Sequence, residues 1–380
     1  MSFCNLNPQT VAQPDTTAAT TPQRYPEPTE TLPLSEEAIS QIRPRVSVLV
    51  AEQDANGNFI RQDNLFNQGF GEGEGLNPVE EGRYRLIWAK GCNWSNRASI
   101  VRDLLGLDRI ISVNLVGRPA DWTAYGQDYG WEFIYDPQHL DPVLGVRFLN
   151  QVYENSYPGF PGRATVPALI DIKTGTVANN DYHHLTNYFE TAFRPYHKPG
   201  APDLYPESLR ADIDQLNEWL FHNVNNGVYK IQFATGFAAY LEAYDNFYAA
   251  LDILESRLAG QRYLLGDYVT DSDVRLYVTL ARLDTAYGQN LGPTKHRLVD
   301  YPNLWAYARD LWQIPAFQNN TYFKDFSRSF NHDGREGSHS AFKSFTARFI
   351  DQIDFAAWWG RPSGRQSLSQ DPAHKFLTES

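Results

Sequence analysis

Cysteine is nearly absent. Cys4 and Cys92 are the only two in 380 residues. A disulfide framework is therefore excluded, and a bond between the two is not expected, because Cys4 lies in a polar N-terminal stretch. No C-x-x-C pair or Cys/His cluster has the spacing of a zinc site. No apolar run is long enough to span a bilayer. The N-terminus lacks the basic segment and apolar run of a secretory signal. Basic charge is also scarce: 33 Lys and Arg stand against 45 Asp and Glu, for a net charge of -12. Such a chain repels phosphate backbones, so neither nucleic acid nor an anionic membrane surface is expected as a partner, although a local basic pocket for a small anion is compatible with it. Together these absences point to the cytoplasm.

What is present is globular in character. Hydrophobic residues make up 42% and aromatics 14% of a chain long enough for two or three domains. Residues 1–45 are rich in Pro, Thr, Gln and Glu and read as an extended or disordered arm. The stretch NQGFGEGEGLNP within 46–80 is a loop, and it lacks the Lys-Ser/Thr ending that a phosphate loop needs. Tyr84 to Ala89 reads as a buried strand, and Lys90-Gly91 breaks it. Asn93 to Leu105 reads as a helix with an apolar stripe at Ile100, Val101, Leu104 and Leu105, ended by Gly106. Arg109 to Leu115 is a second strand, so the unit implies a parallel pair. An aromatic insertion, DWTAYGQDYGWEFIYDPQ, could line a substrate site. A hairpin follows, Ala168–Asp171 and Thr176–Ala178, headed by Pro167 at a position compatible with a cis peptide.

From Leu209 to about Leu311 the period is helical. Ile213, Leu216, Leu220 and Val224 form one stripe, and YLEAYDNFYAALDILESRLAG carries another. Thr270 and Asp273 stand in a capping relation before an apolar run, a structural role, and Pro302 starts a further helix. Residues 331–380 are polar and aromatic without clean periodicity and read as an irregular tail. The order of elements is that of an α+β protein: 46–200 around a sheet, 201–330 all-helical.

Cys92 falls between a strand end and a helix start. The free N–H groups and dipole there favour an anion, hence a thiolate, which is the nucleophilic form. Arg97, one turn into the helix, could add positive potential. A free cysteine is also commonly a buried small apolar residue, so position alone leaves both readings open.

YRLIWAKGCNWSNRASIVRDLLGL resembles the active-site segment of the glutathionyl-hydroquinone reductases, the Xi class of glutathione transferases, where Cys-Pro-Trp-Ala-x-Arg precedes an apolar helix. Here it reads Cys92-Asn93-Trp94-Ser95-Asn96-Arg97. The similarity continues through Gly130-Trp131, GRATVP at 162–167, DLYPESLRADIDQLNEWLFHNVNNGVYK at 203–230, RYLLGDYVTDSDVRLYVTLARLD at 262–284 and DYPNLWAYARDLWQ at 300–313. It implies a thioredoxin-like N-terminal domain, an all-α glutathione-transferase C-terminal domain and a homodimer. It also implies glutathione as co-substrate, with no metal and no nucleotide, and a small aromatic substrate. By the same resemblance Cys92 is the nucleophile, and Val166-Pro167 pairs its backbone with the tripeptide. Trp131 and Arg163 line the glutathione site, the guanidinium suiting a carboxylate. Tyr229 of NNGVYK sits near sulfur and aromatic as a proton donor. Read from residue type alone, these would be a core tryptophan, a surface arginine and one packing tyrosine among 22.

Four departures bear on function. Asn93 replaces the proline after the cysteine. Asp181-Tyr182 stands where the family has Glu-Ser for the γ-glutamyl end. There Asp181 can still accept from an ammonium, whereas Tyr182 reshapes the subsite. Phe330 takes the place of a tyrosine near the end of the helical domain, for which Tyr322 is the candidate substitute. The tail lacks an Asn-Pro-x-Gly segment. Three readings follow: a glutathione-dependent reductase of hydroquinone adducts, a relative using another small thiol or substrate, and a scaffold in which Cys92 is inert.

Overall fold

The computed structural model describes residues 51–118, 129–331 and 348–378, with scattered residues between Leu32 and Pro44. Cys4 and most of the proposed arm, part of the aromatic insertion, residues 332–347 and the Phe330 side chain lie outside the described residues.

Strand β1 (Tyr84–Trp88) and strand β2 (Ile111–Leu115) pair in parallel, Tyr84 opposite Ile111 and Trp88 opposite Leu115. Helix α1 (Asn93–Leu105) crosses between them. The second strand begins at Ile111 rather than Arg109, because Leu107–Arg109 tighten into a 3₁₀ turn after the helix. Gly106 ends α1 at φ 72, and a Cβ there would lie 2.6 Å from Lys198 Cβ. Conformation and packing thus both call for glycine. Helix α2 (Leu149–Ser156) follows the insertion. Strands β3 (Ala168–Asp171) and β4 (Thr176–Asn179) form the hairpin, and β3 runs antiparallel to β1. The order is β2-β1-β3-β4, a mixed sheet of the thioredoxin-like kind.

Alternation along β1 serves two cores. Tyr84 and Leu86 face α1 and the helical part of the chain. Ile87 and Ala89 face α2 through Leu149, Val152 and Tyr153. Helix α3 (Leu185–Glu190) then leads to α4 (Arg210–Leu220), α5 (Gly227–Phe233), α6 (Phe237–Arg257), α7 (Asp271–Leu283) and α8 (Pro302–Trp312). Short helices α9 (Pro315–Asn319), α10 (Phe323–Asn331) and α11 (Phe355–Trp359) complete the set named here. The capping box is present at the start of α7, and Pro302 is the first residue of α8.

Two features go beyond the sequence pattern. The stripe at Ile213 to Val224 suggests one continuous helix, but Phe221–Asn225 form a π-helical turn between α4 and α5. The end of the chain is irregular yet pinned. Buried Arg365 donates to the Leu258 and Arg262 carbonyls, Lys375 to Asp310, and Val269 N–H to the Lys375 carbonyl.

Candidate active site

Cys92 is the N-cap of α1, with extended backbone (φ -83, ψ 121), and its carbonyl accepts from Asn96 N–H. The side chain is half-buried against the same apolar cluster as Trp131. Sγ lies 3.6 Å from the Val166 carbonyl oxygen, and Val166-Pro167 is cis. The neighbouring Thr165 carbonyl accepts from Tyr153 O–H at 2.8 Å, and Asn180 Nδ2 donates to Thr165 Oγ1 at 3.3 Å. Strand end, helix start and Val-Pro turn therefore meet at the thiol.

The turn before Cys92 is held from the helical side. Arg282 of α7 donates Nη2 to the Lys90 carbonyl at 3.0 Å, Nε to the Gly91 carbonyl at 3.1 Å and Nη1 to Asn96 Oδ1 at 3.1 Å. Burial pulls its guanidinium below the ordinary arginine range, against the attraction of Tyr287, Cys92 and Tyr229. Arg282 thus brings a cation to the turn that carries Cys92, and no spacing in the sequence marks it. Arg97, expected in that role, is buried among Arg275, Asp271, Glu190 and Asp181 instead. Five residues on from Cys92 is about 140° round a helix at 3.6 residues per turn, which carries it to another face.

Tyr229 stands on α5 just past the π turn, and its hydroxyl donates to Asn93 Oδ1 at 3.0 Å. Burial, chiefly, and the nearby Cys92 raise its pKa, so the phenol keeps its proton. Tyr287 packs edge-on to it at 6.1 Å between centroids. Arg61, absent from the sequence reading, has its guanidinium 4.6 Å from the Tyr229 ring centre and 4.8 Å from that of Trp94. Asn226 Oδ1 accepts from its Nε at 2.9 Å.

The candidate glutathione residues Arg163 and Asp181 already have partners within the protein. Arg163 Nη2 lies 2.8 Å from both oxygens of buried Glu52, while its Nε is buried without an acceptor among the described residues. Arg118 lies over the Trp131 ring at 5.4 Å. Asp181 accepts from His184 Nδ1 at 2.7 Å, His183 N–H at 2.9 Å and Asn64 Nδ2 at 3.2 Å. Burial opposes its charge, but His184 and His183 together outweigh burial and hold the carboxyl below the usual range. Tyr182 is buried against Trp94, with centroids 4.9 Å apart. Its ring therefore joins the aromatic wall around Arg61.

Among the described residues no group of three or more His, Cys, Asp or Glu could hold a metal ion. Nor is any described helix long and apolar enough to cross a membrane.

Residues 237–310 match the family model for the glutathione S-transferase C-terminal domain. The chain is 37% identical over 247 residues to glutathionyl-hydroquinone reductase YqjG of Escherichia coli K12, covering 64% of this chain and 73% of that one. The glutathione-bound structure of YqjG superposes with a TM-score of 0.66 at 32% identity, covering 79% of this chain and 96% of that one. The glutathione S-transferase Xi from Phanerochaete chrysosporium superposes with a TM-score of 0.70 at 32% identity, covering 78% and 98%.

Proposed function

The chain belongs to the glutathionyl-hydroquinone reductase family, the Xi class of glutathione transferases, and from that premise we propose that it removes glutathione from glutathionyl-aromatic adducts through Cys92. The Cys92 thiolate attacks the adduct's sulfur. A sulfur–sulfur bond forms as the sulfur–carbon bond breaks, and the electron pair leaves with the aromatic. That fragment takes up a proton, with Tyr229 positioned to deliver it, and departs as the hydroquinone. A second glutathione thiolate attacks the mixed disulfide, giving oxidised glutathione and the free Cys92 thiolate. Glutathione is both co-substrate and reductant, so no metal or nucleotide enters the cycle.

The observation that carries this reading is the position of Cys92: N-cap of α1, half-buried, with Sγ 3.6 Å from the carbonyl of the cis Val166-Pro167 unit. Trp131, Arg163, Val166, Pro167, Asp181 and Tyr182 are the proposed glutathione contacts. The proposal includes a cytoplasmic homodimer, tested by molar mass in solution. A different small thiol is a second reading. It is favoured by the occupied state of Asp181 and Arg163, held by His184 and Glu52. Turnover assays with a glutathionyl-hydroquinone and a panel of small thiols separate the two. The first reading requires glutathione to support turnover, and a strict preference for another thiol would replace it.

A further inference from the structure

Three nitrogen donors around the Tyr229 ring are buried and have no acceptor among the described residues: Arg61 Nη2, Asn93 Nδ2 and Trp94 Nε1. Asn93 is fully buried and Trp94 nearly so. The Asn93 amide has a defined orientation. Its Oδ1 accepts from Trp94 N–H at 2.8 Å and from Tyr229 O–H at 3.0 Å, and a backbone N–H can only donate, so the free end is the NH₂. Arg61 is equally fixed, tied to Asn226 through Nε and surrounded by Tyr229, Trp94, Phe59 and Tyr182, with its guanidinium carbon 4.6 to 5.6 Å from their ring centres. Buried donors left unpaired are costly, and a set made only of donors, one of them cationic, calls for a ligand rich in acceptor oxygens and negative charge.

We propose that Arg61, Asn93 and Trp94 form a recognition site for an anionic oxygen on the aromatic part of the substrate, so that the enzyme prefers adducts whose ring carries a carboxylate or an ionised hydroxyl. The inference rests on the Cys92 reading above and names the substrate class that it left open. The proposal assigns that oxygen to the ring system rather than to the tripeptide. The donors sit within a wall of aromatic rings, against which a planar aromatic stacks. Tyr182, also a proposed tripeptide contact, borders the same wall, its ring centre 5.6 Å from the Arg61 guanidinium carbon, so the glutathione KM is measured beside the ratio. Tyr229 links the wall to the thiol, its ring centre 4.6 Å from the Arg61 guanidinium carbon and its hydroxyl on Asn93, the residue after Cys92. The aromatic leaving group is thus one tyrosine away from the arginine.

The test compares kcat/KM of the full chain for two glutathionyl-hydroquinones, one bearing a ring carboxylate and one neutral. The wild-type enzyme prefers the carboxylated adduct. A hydrogen bond to a charged group is worth enough that Arg61→Met lowers the ratio by about tenfold or more, and Arg61→Lys, which keeps the charge, retains part of it. No preference in the wild type overturns the inference, and that result stands even if Arg61→Met fails to fold. An unchanged ratio in a folded Arg61→Met also overturns it. So does a rise in KM for glutathione with the ratio intact, which would assign the arginine to the tripeptide. Equal reaction of both adducts defeats this inference alone, whereas failure of both defeats the proposed adduct reduction as well, even where Cys92 still takes up glutathione. Failure of both together with no adduct on Cys92 defeats the underlying reading.

Discussion

Asn93 accepts the Tyr229 hydroxyl, and the proline found there in the family pattern could not. In this chain the proposed proton donor is therefore engaged before substrate arrives. Proline suits the first turn of a helix, so Asn93→Pro is compatible with α1. The substitution frees the phenol and should raise turnover of a neutral adduct severalfold. Adding Tyr229→Phe should cancel that gain, and a double-mutant cycle on kcat reads the coupling. His184 offers a second check at this scale. The hydrogen bond to Asp181 raises its pKa above 6.5, and His184 in turn helps hold Asp181 below 3.8. The histidine's contribution is complete below the unfolded value of 6.5 and fades as pH rises through the native one. The aspartate's contribution is complete above 3.8 and fades as pH falls through its native value. The pair is thus fully present between about 3.8 and 6.5. NMR should show His184 titrating above 6.5 in the wild type and lower in Asp181→Asn. The places of Cys92 and Pro167 in the fold were legible in the sequence because each sits at a break or a strand start, whereas Tyr229 was singled out only by the family resemblance of its NNGVYK motif. Arg61 and Arg282 were not, because their partners lie far along the chain.

At the scale of elements, α1 agrees with the sequence reading at both ends, since a strand break and a Gly cap are local signals. The π turn at Phe221–Asn225 was hidden because its apolar spacing continues the helical stripe. It shifts the register before Asn226 and Tyr229, the residues that meet Arg61 and Asn93. Arg282 joins α7 to the turn before α1 through two carbonyls and one amide oxygen. Arg282→Met should cost about 2–4 kcal/mol in urea unfolding, because buried acceptors lose a charged donor. It should also slow glutathione uptake by Cys92. The segment 52–66 forms a strap: Gln62 exchanges bonds with Arg163, Gln53 donates to the Phe233 carbonyl, and Asn180 N–H donates to the Phe66 carbonyl. Gly57 has φ 79, and a Cβ there would collide with the Gly236 backbone. Gly57→Ala should therefore cost more than about 1 kcal/mol and speed hydrogen exchange in the strap before the rest of the fold.

Across the whole molecule, the sheet and the helices meet at buried charge as well as at apolar surface. Arg97, Glu190, Asp271 and Arg275 lie between α1, α3 and α7, with Arg275 Nε 2.6 Å from Asp271 Oδ2. Burial, helped by Asp271, pushes the Glu190 carboxyl well above 4.5. Its contribution to stability is complete below 4.5 and declines as pH rises toward its native value. Glu190→Gln should flatten that decline in denaturation measured from pH 4 to 8. Order of elements and periodicity made the α+β architecture legible, but the polar junction was not, since each charge reads alone as a solvated residue. That junction brings the helical part against the turn carrying Cys92, on which the proposed chemistry depends. The most direct test is mass spectrometry of the full chain after incubation with oxidised glutathione, with the modified peptide identified. The account predicts one glutathionyl group on Cys92, released by a second thiol and absent in Cys92→Ser. A Cys92 that remains unmodified, or an adduct confined to Cys4, would contradict it.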